Sequence, residues 1–218
     1  MPPRFSSRHG LVVALLGLAL AAPALAGPPL LCHPYDTGGA KSLPWAAGPS
    51  WLGALADYPT SKLTVDTEAL LTPETPVIAR METLRRAAIY ASRDPKAAAD
   101  LLSRLTTRAL DATEPKVRAL AYLDAGYYVE ALKEIAESRS HPHFRDHAES
   151  IREMVAKVDG YKLASKALAL QPGEPAFEFA AALIASGRNR DAYPAHAQRA
   201  RAGAGRDPLL ARNIGKVQ

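Results

Sequence analysis

Between residues 166 and 200 the chain reads KALALQPGEPAFEFAAALIASGRNRDAYPAHAQRA, and this stretch restricts the fold more than any other. Its opening apolar run ends a helix at Gln171, because Pro172 disfavours helical geometry in the residue before it. A new helix opens at Glu174-Pro175, since proline is tolerated in a first turn. Phe179, Leu183 and Ile184 share the inner face of that helix. Gly187 can take a positive φ and is predicted to stop it. A second helix is expected over residues 191–201, with Pro194 in its first turn, Ala192 and Ala195 inward and Arg201 outward. Small side chains at Ala180 and Ala192 let two such backbones approach closely. No segment alternates with period two for long enough to build a sheet; residues 63–65 are the best strand candidate and are too few. The fold class is therefore read as all-α.

Small residues recur in pairs twelve apart: Ala87 with Ala99, Ala119 with Ala131, Ala148 with Gly160, Ala180 with Ala192. A large side chain follows the first member of each pair by three residues, namely Tyr90, Tyr122, Ile151 and Leu183. The run DAGYYVEALKEI reads as a turn at Gly126 between two helices. Ala180, Leu183, Gly187 and Ala192 give the stretch around them a pattern that resembles a tetratricopeptide repeat. The family's late alanine falls at Arg199, with Ala200 beside it, and its terminal proline falls at Ala204. The units start at Ala87, Ala119, Ala148 and Ala180, near the family period of about 34 residues without matching it. The resemblance implies a right-handed stack of antiparallel helical hairpins over about residues 76–205, and recognition as the usual role.

The chain divides into three parts. Residues 1–26 read as a secretory signal peptide: Arg4 and Arg8 supply a positive start, residues 11–22 an apolar run too short to span a bilayer, and Ala24-Leu25-Ala26 the small residues of a cleavage site. Export to a bacterial periplasm or medium follows, with no stable membrane span after cleavage. Removal of two arginines lowers the formal charge below the whole-chain value of +5, and the remaining basic residues are scattered, which argues against nucleic acid. Residues 27–75 form an arm rich in proline and glycine, with a short helix over 66–71 capped by Thr64 or Asp66. Trp45, Trp51, Leu52, Leu55 and Tyr58 make this arm too apolar for a solvated tail, so it is expected to lie against the body, with one or two helical turns at 51–56. Residues 76–218 form the helical-repeat domain. Its first helix places Val77, Met81, Leu84 and Ala88 on one stripe, with Arg80, Arg85 and Arg86 mostly off it. Further helices open at Asp94-Pro95, Glu114-Pro115 and Asp207-Pro208, and one is expected over 144–158.

Chemistry is sparse. There is no G-x-S-x-G, H-E-x-x-H or S-x-x-K motif, no C-x-x-C-H and no glycine-rich phosphate loop, so no catalytic residue and no cofactor is assigned. Cys32 is the sole cysteine, which excludes an internal disulfide and leaves a buried thiol, a mixed-disulfide site or a metal ligand. His141, His143 and His147 are the other candidates; His143 and His147 stand four apart, as ligands on one helix face do. Tyr90, Tyr122, Tyr127, Tyr128 and Tyr161, with Arg85, Arg86 and Arg118, could line a concave groove. Tyr90 and Tyr122 fit core positions, so Tyr127 or Tyr128 is the better candidate for exposure. Three functions remain: an exported scaffold for a protein or peptide partner, a metal- or thiol-dependent protein using Cys32 with His141, His143 and His147, and an enzyme whose residues carry no recognisable motif.

Overall fold

The structure, a computed structural model, describes residues 29–48 and 50–217. Among these the regular elements are helices: α1 (Leu63–Leu70), α2 (Val77–Ala91), α3 (Pro95–Asp111), α4 (Pro115–Glu137), α5 (Ala148–Val155), α6 (Gly160–Leu170), α7 (Pro175–Arg188), α8 (Tyr193–Gly203) and α9 (Pro208–Asn213), with short 3-10 turns. The described chain is all-α, and none of its helices is long and apolar enough to cross a membrane. The segment read as a signal peptide lies outside the described residues.

Four acid–proline pairs start helices, and in three of them, at α3, α4 and α9, the acid also caps the first turn. Asp94 accepts the Lys96 and Ala97 N–H groups at the head of α3, Glu114 accepts that of Val117 at α4, and Asp207 those of Leu209 and Leu210 at α9. These side chains satisfy donors that a first turn leaves without helical partners.

The turn expected at Gly126 is absent. α4 runs unbroken for 23 residues, and Gly126 lies inside it. A Cβ at Gly126 would fall 2.6 Å from the Gly160 carbonyl oxygen, and one at Gly160 would fall 2.6 Å from the Gly126 carbonyl oxygen. The two glycines let α4 and α6 touch backbone to backbone. Ala119 and Ala131 thus lie along one helix, not across a hairpin. α4 is the hub and packs on α2, α3, α5 and α6, while α7 packs on α8, α6 and α2.

Other departures are local. α1 begins at Leu63, so the strand candidate is helical, and neither Thr64 nor Asp66 caps it; Lys62 holds the cap position without a side-chain bond. Residues 51–56 form no helix. α5 covers a smaller part of the expected 144–158. Gly187 does not stop α7, which continues to Arg188 without a positive φ at that glycine. On α8 the buried face is His196, Ala197 and Ala200, whereas Ala195 is exposed, as is Ala99 on α3. Alanine gives no hydrophobic contrast strong enough to fix a helix's rotation, so the pattern does not place Ala195.

α2 departs most from a surface helix, because nearly its whole circumference is buried. Arg80 and Arg85, expected off the apolar stripe, are 2% and 0% exposed. Arg80 donates through Nε and Nη2 to both oxygens of Asp124, at 2.8 and 2.5 Å, and its other donors reach the Leu71 and Thr72 carbonyls. A buried charge is tolerated when paired and fully hydrogen-bonded, as this one is.

Candidate functional site

Residues 30–58 cross the face made by α2, α4 and α7. Leu30, Leu31, Tyr35, Leu43 and Tyr58 are buried there, and the Tyr35 ring meets Tyr127 and Phe179 edge-on at 6.4 and 6.2 Å. Trp45 stands edge-on to Tyr90 at 5.7 Å, with the Arg85 guanidinium 5.0 Å from its ring centre. The apolar contacts follow from the aromatic content of the segment. The polar ones do not, because they are made to its backbone.

Glu134 of α4 accepts the Leu30 N–H, and Tyr127 donates to the Leu30 carbonyl at 3.1 Å. Arg85 donates to the carbonyls of Leu31 and Trp51, both at 3.0 Å. Glu82 accepts the Tyr35 N–H at 3.0 Å. Arg86 donates to the Leu43 carbonyl, and Tyr90 both donates to the Pro44 carbonyl and accepts the Leu55 N–H. Arg93, just past α2, donates to the Leu55 carbonyl at 3.1 Å. From α9, Asn213 closes a pair of bonds on the backbone of Asp36. An extended segment cannot satisfy its own N–H and C=O groups, and here the helices supply the partners.

The electrostatics divide between two glutamates. Burial pushes the Glu82 carboxyl up, but bonds from Arg85, the Tyr35 N–H and Arg86 outweigh it and hold the group below the ordinary range. Among the described residues Glu134 has no such cation bonded to it: burial raises it to about 8 despite the N–H groups of Leu30 and Leu31. It borders a cleft of about 160 Å³ shared with Pro29, Glu130, Glu137 and Arg188.

Tyr127 or Tyr128 is the sequence's candidate for exposure, and both are completely buried. Tyr127 is covered by residues 30–35, and Tyr128 lies in the core with a hydroxyl that has no partner within the described residues. Tyr90 and Tyr122 are buried, as their register implied, and Arg118 and Lys166 lie over the Tyr122 ring. Cys32 is partly buried within the crossing segment, and burial with Glu134 nearby raises its thiol while Arg85 opposes. His141 packs edge-on against Trp51 at 5.6 Å, its Nδ1 accepts the His143 N–H, and His147 heads α5 without capping it. Among the described residues no three His, Cys, Asp or Glu side chains form a group able to hold a metal ion. Burial and the positive charge of Arg93 both depress His143, an environment that opposes a cation.

Of the backbone-holding residues, Arg85, Arg86, Tyr90 and Tyr127 are among the groove candidates of the sequence, whereas Glu82 and Glu134 carry no such signal. A Glu82–Arg85–Arg86 cluster at helical spacing reads as a solvated face. The available signal is the apolar run AAIYA that follows this cluster within α2. Comparison with family models, with curated proteins and with solved structures finds no match for this chain.

Proposed function

We propose that this protein is an exported scaffold of tetratricopeptide-like helical hairpins that binds an extended peptide segment of a partner protein. One observation carries the reading: side chains of α2 and α4 hydrogen-bond the backbone of residues 30–55 at successive points. Backbone contacts hold a chain whatever its side chains, and pockets for alternate side chains then select among sequences. Residues 29–58 are an arm that occupies the face in place of a partner. Export rests on residues 1–26, and N-terminal sequencing of the protein from an extracellular or periplasmic fraction tests it.

The test of binding is complementation in trans. Leu31→Ala with Tyr35→Ala removes two anchors of the arm and leaves every helix residue unchanged. A fluorescent peptide of residues 29–47 is titrated into this variant and into the wild type, with anisotropy and thermal unfolding as readouts. The variant is expected to bind the peptide and gain melting temperature, while the wild type does neither. A variant with native helicity that ignores the peptide at millimolar concentration refutes the proposal.

A further inference from the structure

Away from this face, α6, α7 and α8 bring four side chains into one hydrogen-bonded row. The Tyr161 hydroxyl lies 2.9 Å from His196 Nε2. His196 Nδ1 lies 2.5 Å from Glu178 Oε2, and Glu178 Oε1 accepts from Arg199 Nε at 2.7 Å. Arg199 Nη2 also approaches His196 Nδ1 at 2.9 Å. His196 and Glu178 are each 6% exposed, whereas Tyr161 is only partly buried. His196 Nδ1 faces a carboxyl oxygen at 2.5 Å and the Arg199 guanidinium at 2.9 Å, and the closer contact, to a group that accepts, favours a proton on Nδ1. Nε2 is then an acceptor, and Tyr161 donates to it.

This is the order in which a nucleophilic hydroxyl, its base and the group that orients the base are arranged. A phenol, with a reference pKa near 10, gives up its proton far more readily than an aliphatic hydroxyl. Tyr161 also sits in the first turn of α6, whose positive end favours negative charge.

We infer that Tyr161 is an activated phenol that accepts acyl groups from small activated esters. A lone pair of the hydroxyl oxygen forms the bond to the ester carbonyl carbon as the phenolic proton passes to His196 Nε2. The tetrahedral adduct collapses with breakage of the bond to the leaving oxygen, which takes that proton from His196. The products are O-acylated Tyr161, the free alcohol and neutral His196; nothing is oxidised or reduced. Glu178 is a positioning residue that holds the His196 proton on Nδ1, and Arg199 holds Glu178 in place through its Oε1.

The probe is p-nitrophenyl acetate on the full chain, with release of p-nitrophenolate followed by absorbance and the acetylated tyrosine identified by peptide mass spectrometry. Tyr161 is expected to acetylate at least tenfold faster than N-acetyltyrosinamide at the same pH. His196→Gln is expected to remove that advantage, and Tyr161→Phe to remove the labelled peptide. Nitrogen chemical shifts of the wild-type imidazole are expected to report Nδ1–H, and Glu178→Gln to abolish that preference and slow acetylation. Acetylation of Tyr161 no faster than the free phenol overturns the inference, as does an Nε2–H tautomer in the wild type. If His196→Gln loses helicity, Glu178→Gln and the tautomer measurement decide alone.

Discussion

Replacing Glu134 with glutamine tests, through pH, how the helical body holds residue 30. Burial, with Glu137 and Glu130 adding to it, raises the Glu134 carboxyl from 4.5 to about 8. Between those limits the folded protein keeps the proton and the unfolded chain has lost it. The folded state then binds more protons, so stability falls as pH rises across this window. Each pH unit removes about 1.4 kcal/mol. The contribution is complete below the unfolded value and gone above the folded one. Glutamine does not titrate, yet it keeps an oxygen for the Leu30 N–H. The unfolding free energy of Glu134→Gln minus that of the wild type is therefore expected to climb by about 4 kcal/mol from pH 5 to pH 8, three units of that slope, and to level off above it. Urea unfolding followed by helical circular dichroism at half-unit pH steps measures the difference directly. Any constant cost of the amide drops out, because only the slope matters. Parallel profiles from pH 5 to pH 9 refute a buried, unpaired carboxyl at this position.

Asp124→Ala strands the buried Arg80 and is expected to cost about 3–5 kcal/mol by urea unfolding, whereas Arg80→Met with Asp124→Leu recovers most of it. Gly126→Ala forces α4 away from α6 and is expected to lose about 1–3 kcal/mol in a thermal melt, while Gly205→Ala, with open space at its Cβ position, loses less than about 0.5. Burial raises the Cys32 thiol, so at pH 7 its reaction with a thiol reagent is expected to be slower than that of free cysteine and to accelerate in urea.

The parts of the fold legible in the sequence are those set by local chemistry. Asp94-Pro95, Glu114-Pro115 and Asp207-Pro208 announce helix starts because a cap and a fixed φ act within one turn. The buried positions Leu101, Leu102 and Leu105 follow from period alone. What misleads is long-range. Gly126 has the composition of a turn, and only the approach of Gly160 from α6 turns it into a contact point. Arg85 reads as a surface cation until residues 31 and 51 arrive with carbonyls that need a donor. His196 lacked any local signal, because its partners Glu178 and Tyr161 lie on two other helices.

On the proposed reading, tethering decides how the face made by α2, α4 and α7 works. A short linker gives a covalently attached segment an effective concentration on the order of 1 mM. A free peptide with identical contacts at about 1 μM then loses by a factor of about 10³, or about 4 kcal/mol. On that reading, a partner must outbind residues 29–58 by that margin or meet a protein in which their docking is weakened. Truncating Leu31 alone removes about 2–5 kcal/mol of anchoring, which spans the deficit. The factor by which Leu31→Ala improves peptide binding in trans cannot exceed the weakening of the arm's own docking, since both report one equilibrium. A larger gain in affinity than that loss means that the peptide binds elsewhere on the protein.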